Sequence, residues 1–316
     1  MRPFFLYLIL FFGLCLTAQN KTSRIFRLQE RTVSRKIHKS LRHDTLIQTS
    51  KAIVHIHYSK ERNKPYLLLI HGMGIDAKTN WYKQVGYLSK HYNLIMPDLI
   101  FFGGSTTTEK DYSPEFQVQQ IHEALALISI PSKINVMGFS YGGLVAAVYN
   151  ELYPEQINKL IIIDGPVKFF STQMADSLAL SAGVPSMTNI LIPHNLSDFK
   201  AMQKAVMSKK LPITARLKTK MIAHYFTPTL KFRQAQLNYL TEKQSRYRSL
   251  NYNLDKTPTL LMWGAKDGVV PLSVGENLHK HFPSTTKLIV FKKAKHDTHF
   301  RYAKKLNRAV VKFLGN

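Results

Sequence analysis

The chain has 316 residues, 45% of them hydrophobic and 11% aromatic, a make-up that excludes a disordered chain. Its 44 Lys and Arg stand against 19 Asp and Glu, a formal net charge of +25. Nucleic acid, an anionic membrane and an acidic substrate are the partners such a charge attracts, beside a basic surface that is only solvated.

Residues 1–18, MRPFFLYLILFFGLCLTA, read as a signal peptide. Arg2 supplies the positive start, Phe4 to Leu16 the apolar run and Ala18 the cleavage point. The run is shorter than the roughly 20 apolar residues that span a bilayer. A cleaved signal and a periplasmic or secreted protein are therefore expected, with an uncleaved membrane anchor as the alternative. Cys15 is the only cysteine and lies in this segment, so a cleaved chain has no disulfide and no thiolate. Residues 19–50 are a basic arm, with eight Lys and Arg between Lys21 and Arg42 against Glu30 and Asp44. Such an arm is solvated or docks on anionic lipid.

From residue 51 strands and helices alternate. AIVHIHYS has period two; PYLLLIHG, NLIMPDL, INVMGFS, KLIIIDG, TPTLLMWG and TKLIVFKKA are short apolar runs suited to buried parallel strands. Helical patterns lie between them, at Trp81–His91, Pro114–Ser129, Tyr141–Leu152, Leu272–Phe282 and Thr298–Leu314. The alternation predicts an α/β fold, a mostly parallel sheet flanked by helices, with its core in 51–167 and 251–316. Residues 168–250 carry no strand run and are punctuated by four prolines; they read as an inserted helical cap with thirteen Lys and Arg against three acids.

One junction carries chemistry. In INVMGFSYGGLVAAVYN a strand run meets Gly138-Phe139-Ser140-Tyr141-Gly142 and then a helical run. A serine on a sharp strand-to-helix turn is held out as a nucleophile, and the residues two before and two after must lack side chains. Gly138 and Gly142 meet that need. A serine hydroxyl requires a general base. His296 follows the last apolar strand and precedes the last helix, on the sheet edge where Ser140 must also lie. His299, three residues on, is its rival. His122, His279 and His281 fall in helical patterns and are expected at the surface. His55 and His57, two apart on a strand, suit a metal, but no further ligand is evident, so an exposed strand face is expected. Asp267 follows TLLMWGAK and is the candidate acid; Asp164, ending the preceding strand, is the alternative, and Asp98 precedes the serine. Tyr141 N–H and, in His71-Gly72-Met73-Gly74, Met73 N–H are candidate donors to an oxyanion, with His71 and Gly72 supporting them.

Together these segments resemble the α/β-hydrolase family. LLLIHGMG is similar to its oxyanion strand, VMGFSYGG to its nucleophile elbow and TPTLLMWGAKDGVVP to its acid-bearing segment. NLIMPDLIFFGGS is similar to its P-D-L-P-G-F-G-x-S loop, with Ile100 and Phe101 where Pro and Gly are usual. KKAKHDTHFRYAKKLNRAVVKFL resembles its histidine-bearing end, with Lys295 in place of the usual glycine. The cap resembles those of bacterial lipases and monoacylglycerol-lipase-like esterases. The resemblance implies a serine esterase or lipase that cleaves a small acyl ester through Ser140, His296 and Asp267, with no metal and no organic cofactor. Carbon–carbon bond hydrolases and cofactor-free haloperoxidase-like enzymes share such a triad. A non-catalytic binding protein that kept the shell is the reading from another class. Anionic lipid can meet the basic arm and cap, whereas no aromatic platform is interleaved with the basic runs as nucleic acid would need.

Overall fold

The computed structural model describes residues 24–315 apart from 62, 132 and 210–212, so the expected signal peptide lies outside the described residues. Eight strands form one sheet in the order β1-β2-β4-β3-β5-β6-β7-β8. They are β1 (His43–Gln48), β2 (Ile53–Tyr58), β3 (Tyr66–Ile70), β4 (Asn93–Pro97), β5 (Ile134–Phe139), β6 (Ile157–Ile163), β7 (Thr259–Gly264) and β8 (Thr286–Phe291). β1 and β2 are antiparallel to their neighbours, and from β4 to β8 every pairing is parallel. The mostly parallel sheet expected from the apolar runs is what forms.

Side-chain alternation explains why both faces are covered. Leu68 and Ile70 of β3 join one apolar cluster, Leu67 and Leu69 the other. On the second face pack α1 (Arg24–Ser40), α2 (Ala77–Leu88) and, near the C-terminus, α13 (Ala303–Leu314), through Val33, Ile37, Trp81, Val85, Leu306 and Val310. On the first face lie α3 (Pro114–Leu127) and α4 (Tyr141–Leu152), joined by α11 (Leu272–His281), which follows β7. Between β6 and β7 the chain leaves the sheet through α5 (Thr172–Ala182), α6 (Met187–Leu191), α7 (Leu196–Val206), α8 (Ala215–Met221), α9 (Leu230–Glu242) and α10 (Gln244–Ser249). A short α12 (Thr298–Arg301) precedes α13. No helix among the described residues is long and apolar enough to cross a membrane.

Two expectations need correction. The segment read as a basic arm is, from residue 24, a helix and an edge strand. Phe26, Val33, Ile37 and Leu41 supply the apolar stripe that the count of charges concealed, and all four are buried. The strand face with His55 and His57 is also not exposed. His57 is 1% accessible, and His55 is bonded to Asp44 and Asp98.

The loop after β4 departs from the glycine the resemblance leads one to expect. Phe101 adopts φ +75°, a left-handed conformation that costs a non-glycine residue about 1 kcal/mol. Its ring stacks on Phe232 of α9 at 5.1 Å and meets Tyr112 at 5.0 Å, contacts a glycine could not make. Such aromatic pairs are worth about 1 kcal/mol each, enough to offset the strain.

Candidate active site

Ser140 stands between β5 and α4 with φ +54° and ψ −125°. A left-handed φ at serine is strained, and close packing on both sides holds it. A Cβ on Gly138 would lie 2.0 Å from the Gly142 carbonyl oxygen; one on Gly142 would lie 2.2 Å from that of Ile70. Both contacts are with backbone, which cannot swing aside, so neither position admits a side chain. Ser140 N–H donates to the Ile163 carbonyl at 2.9 Å, tying the turn to β6.

The Ser140 hydroxyl donates to His296 Nε2 at 2.8 Å, and His296 Nδ1–H donates to Asp267 Oδ2 at 2.7 Å. The other oxygen, Asp267 Oδ1, accepts from Val269 N–H at 2.7 Å and Val270 N–H at 2.9 Å. Three donors thus converge on one buried carboxylate and fix its position. His296 comes from the loop after β8, Asp267 from the loop after β7; parallel strands deliver both to the edge that carries Ser140. Gly264 permits the approach of these loops, since a Cβ there would lie 2.4 Å from the Lys295 carbonyl oxygen.

The rival residues are near but differently engaged. Asp164 is fully buried, and its Oδ1 accepts Gly264 N–H at 2.8 Å. Burial, and then the charge of Asp267, hold its carboxyl well above the usual range. His299 is buried against Phe139, ring centroids 3.8 Å apart, and against Phe300 at 4.1 Å. Burial, and after it the proximity of His296 and Lys83, keep its imidazole well below its ordinary pKa. It is a neutral packing residue behind His296.

The loop after β3 is held from two sides. His71 Nδ1–H donates to the Gly72 carbonyl at 2.7 Å, and His71 Nε2 accepts Leu99 N–H at 2.9 Å. The Gly72 carbonyl and Met73 N–H belong to one peptide unit, and no cis bond occurs among the described residues. Fixing the carbonyl therefore aims the N–H the opposite way. Tyr141 N–H opens α4, where a helix has no acceptor of its own to offer. Sequence reasoning missed a third support. Arg233 of α9 donates through a guanidinium nitrogen to the Gly74 carbonyl at 2.5 Å, between the rings of Phe102 and Phe226. No local pattern marks it, because its partner lies 159 residues away.

Two cavities meet at Ser140, Met73 and Leu191. The smaller, about 80 Å³, is lined by His296 and Phe139 and by the polar Asp76, Thr79 and Asn80. The larger, about 320 Å³, is walled by Leu144, Leu237, Leu240, Val269 and Val270, with Lys168 and Arg248 among its polar residues. A held serine, an imidazole on its hydroxyl and a carboxylate behind the imidazole can carry out acyl transfer.

A family model described as the alpha/beta hydrolase fold matches residues 65–301. The monoacylglycerol lipase ABHD6 of Homo sapiens is 26% identical over 261 residues, spanning 80% of this chain and 76% of its own. Lipase 1 of Psychrobacter immobilis is 29% identical over 225 residues, spanning 71% and 69%. The crystal structure of a membrane phospholipase A, described as a bacterial virulence factor, overlays on 90% of this chain and 88% of its own. Its TM-score is 0.72 at 24% identity, a likeness of fold. With the match covering most of its length, the chain belongs to the α/β-hydrolase fold family.

Proposed function

We propose that this protein is a serine hydrolase of carboxylic esters that carry an acyl chain. The observation that supports it most is the run of hydrogen bonds from Ser140 through His296 to Asp267, set where the two cavities join. Ser140 attacks the acyl carbonyl as His296 takes its proton. Met73 and Tyr141 N–H groups stabilise the oxyanion. His296, oriented by Asp267, then protonates the departing alcohol and afterwards activates a water that releases the acid. The names of the relatives, a monoacylglycerol lipase and a lipase, point the same way.

The cavities suggest how an ester lies. The departing oxygen must be within reach of His296 Nε2, and the smaller cavity is the one His296 lines. Its Asp76, Thr79 and Asn80 suit a small polar alcohol. The larger, leucine- and valine-walled cavity suits the acyl chain. Export by residues 1–18, and contact of the basic cap with anionic lipid, complete the proposal; N-terminal sequencing of the exported protein and flotation with anionic vesicles test them.

A fluorophosphonate probe and a series of p-nitrophenyl esters test the chemistry. Labelling should fall on Ser140 and vanish in Ser140→Ala, and hydrolysis should favour esters whose acyl chain reaches into the larger cavity. A folded protein that neither labels nor cleaves any ester refutes the reading. A carbon–carbon bond substrate turned over faster than every ester moves the assignment to that chemistry.

A further inference from the structure

His55 and His57 lie on one face of β2, and the sheet register sets Asp44 of β1 opposite His57. His55 Nε2 is 2.6 Å from Asp44 Oδ1, and His57 Nδ1 is 3.3 Å from the same oxygen. One ligand atom from each residue, two imidazole nitrogens and a carboxylate oxygen, all lie within 4.8 Å of one another. We propose that Asp44, His55 and His57 form a zinc site, remote in role from the ester chemistry, that ties the edge strand β1 to the rest of the sheet.

The ligand set argues for the metal. Two imidazoles and one carboxylate suit zinc and exclude a preference for calcium or magnesium, which favour oxygen. Three protein ligands leave a fourth position for water, and the Asp44 side chain is 39% exposed, so solvent reaches it. The second observation lies behind the ligands. His55 Nδ1–H donates to Asp98 Oδ2 at 2.8 Å. That carboxylate is buried and held in turn by Ala77 N–H at 2.8 Å and Gly104 N–H at 2.9 Å. A carboxylate on the far nitrogen of a ligating imidazole fixes ring and tautomer, the arrangement that metal-binding histidines use. The charge of Lys78 is also felt at Asp44 and opposes a cation. Two carboxylates, Asp44 and Asp98, offset it.

The hydrogen bonds say what the metal replaces. Both nitrogens of His55 face carboxylate oxygens at hydrogen-bond distance, so a proton lies between nitrogen and oxygen in each contact. Zinc takes the place of the proton on Nε2: the N–H bond breaks, the nitrogen lone pair binds zinc, and the proton leaves to solvent. His57 contributes Nδ1 as a neutral base.

The test uses the full mature chain without a histidine tag, first stripped with a chelator. Zinc titrated calorimetrically in buffers of different ionisation enthalpy should bind one per chain, release about one proton and raise the thermal midpoint. Cobalt in its place should give the visible absorption of a four-coordinate site. Asp44→Asn and His55→Gln, checked for native fold by circular dichroism, should each weaken zinc binding by about tenfold or more. His296→Ala should leave it unchanged, which separates this site from the Asp164, Asp267 and His296 group. Absence of binding, wild-type affinity in both ligand variants, or loss of binding in His296→Ala overturns the proposal. Ester hydrolysis is not a readout, so failure here and failure of the hydrolase reading are distinguishable.

Discussion

Asp267→Asn tests the orientation of the base most sharply. An amide keeps the shape of the side chain but presents its NH2 or an uncharged oxygen to His296 Nδ1, so the imidazole loses both its fixed tautomer and its counter-charge. Loss of such a carboxylate costs about 10³ to 10⁴ in kcat, roughly 4–5.5 kcal/mol. Asp164 complicates the outcome. Its carboxylate, Asp267 and His296 lie within 4.8 Å of one another. At an effective dielectric constant near 20, an ionised carboxylate at that distance from an imidazolium is worth about 3.5 kcal/mol. The Asp164 carboxyl is held well above its usual range by burial and then by the charge of Asp267. Removing that charge removes the second cause, so Asp164 ionises more readily in the variant. The assay is kcat for a p-nitrophenyl ester against pH. Asp267→Asn should fall about 10³-fold or more, and its residual rate should climb with pH as Asp164 ionises. Asp164→Asn alone should cost less than about tenfold, and the double variant should lose the climb. A near-normal rate in Asp267→Asn, or an equal loss in Asp164→Asn, refutes the assignment and makes Asp164 the acid. A double variant no worse than Asp267→Asn refutes the reserve role.

Arg233→Met should lower kcat by about ten- to a hundredfold, part of the value of one oxyanion donor, with KM little changed. Affinity for a boronic-acid analogue should fall with kcat, and Arg233→Lys should recover part of both; a drop in thermal midpoint without a drop in kcat would show Arg233 to be structural only. Gly138→Ala should yield little folded protein, because its Cβ would sit 2.0 Å from a backbone oxygen, whereas Gly74→Ala, with its nearest neighbour at 3.9 Å, should fold normally; equal soluble yields would contradict this. Asp76 is pushed up to about 6, by burial first and then by the charge of Asp98. A raised carboxyl stabilises the fold below its unfolded pKa near 4, and that contribution is lost as pH rises through about 6, about 3 kcal/mol in all. Asp76→Asn keeps an acceptor for Thr79 N–H, the helix cap now at 2.7 Å, and should remove this slope from urea unfolding between pH 4 and 7; identical slopes would count against it.

Much of the fold could be read from the chain because each buried parallel strand is a short apolar run and each flanking helix has a stripe. The positions Ser140, Asp267 and His296 were legible for the same reason, since each lies in the turn or loop that follows a strand and parallel strands end on one edge. What stayed hidden depends on contacts distant in sequence. His57 looks like one of two polar residues on an alternating strand; only the pairing of β2 with β1 and β4 reveals it as buried. The basic arm hides its helix because its charges outnumber its apolar residues, yet three buried apolar side chains of α1, with Leu41 just after it, suffice to dock it. Arg233 looked like one more cation of a basic cap. Its role appears only when α9 crosses over the loop after β3.

The cap contacts bear on how the site is reached. α7 and the residues after it touch both loops that carry His296 and Asp267. Gly268 N–H donates to the Ala205 carbonyl at 3.2 Å, Lys295 N–H to Ser208 Oγ at 3.0 Å, and Ser208 N–H to Asp297 Oδ2 at 2.9 Å. A Cβ on Gly268 would lie 2.7 Å from the Ala205 Cα, so the Asp267 loop and α7 are in backbone contact. Arg233 supplies the equivalent tie to the loop after β3. A cap fastened at all three loops cannot lift as one flap without disturbing His296, Asp267 and the loop after β3. The large cavity, by contrast, is bounded by α5, α6, α9 and α10, where no such fastening to the loops carrying Asp267 and His296 is seen among the described residues. Movement that admits an acyl chain is therefore expected in α5 and α6, with α7 staying in place; hydrogen exchange should be faster in the former than in the latter. Equal protection across 172–206 would argue instead for a cap that opens as a unit.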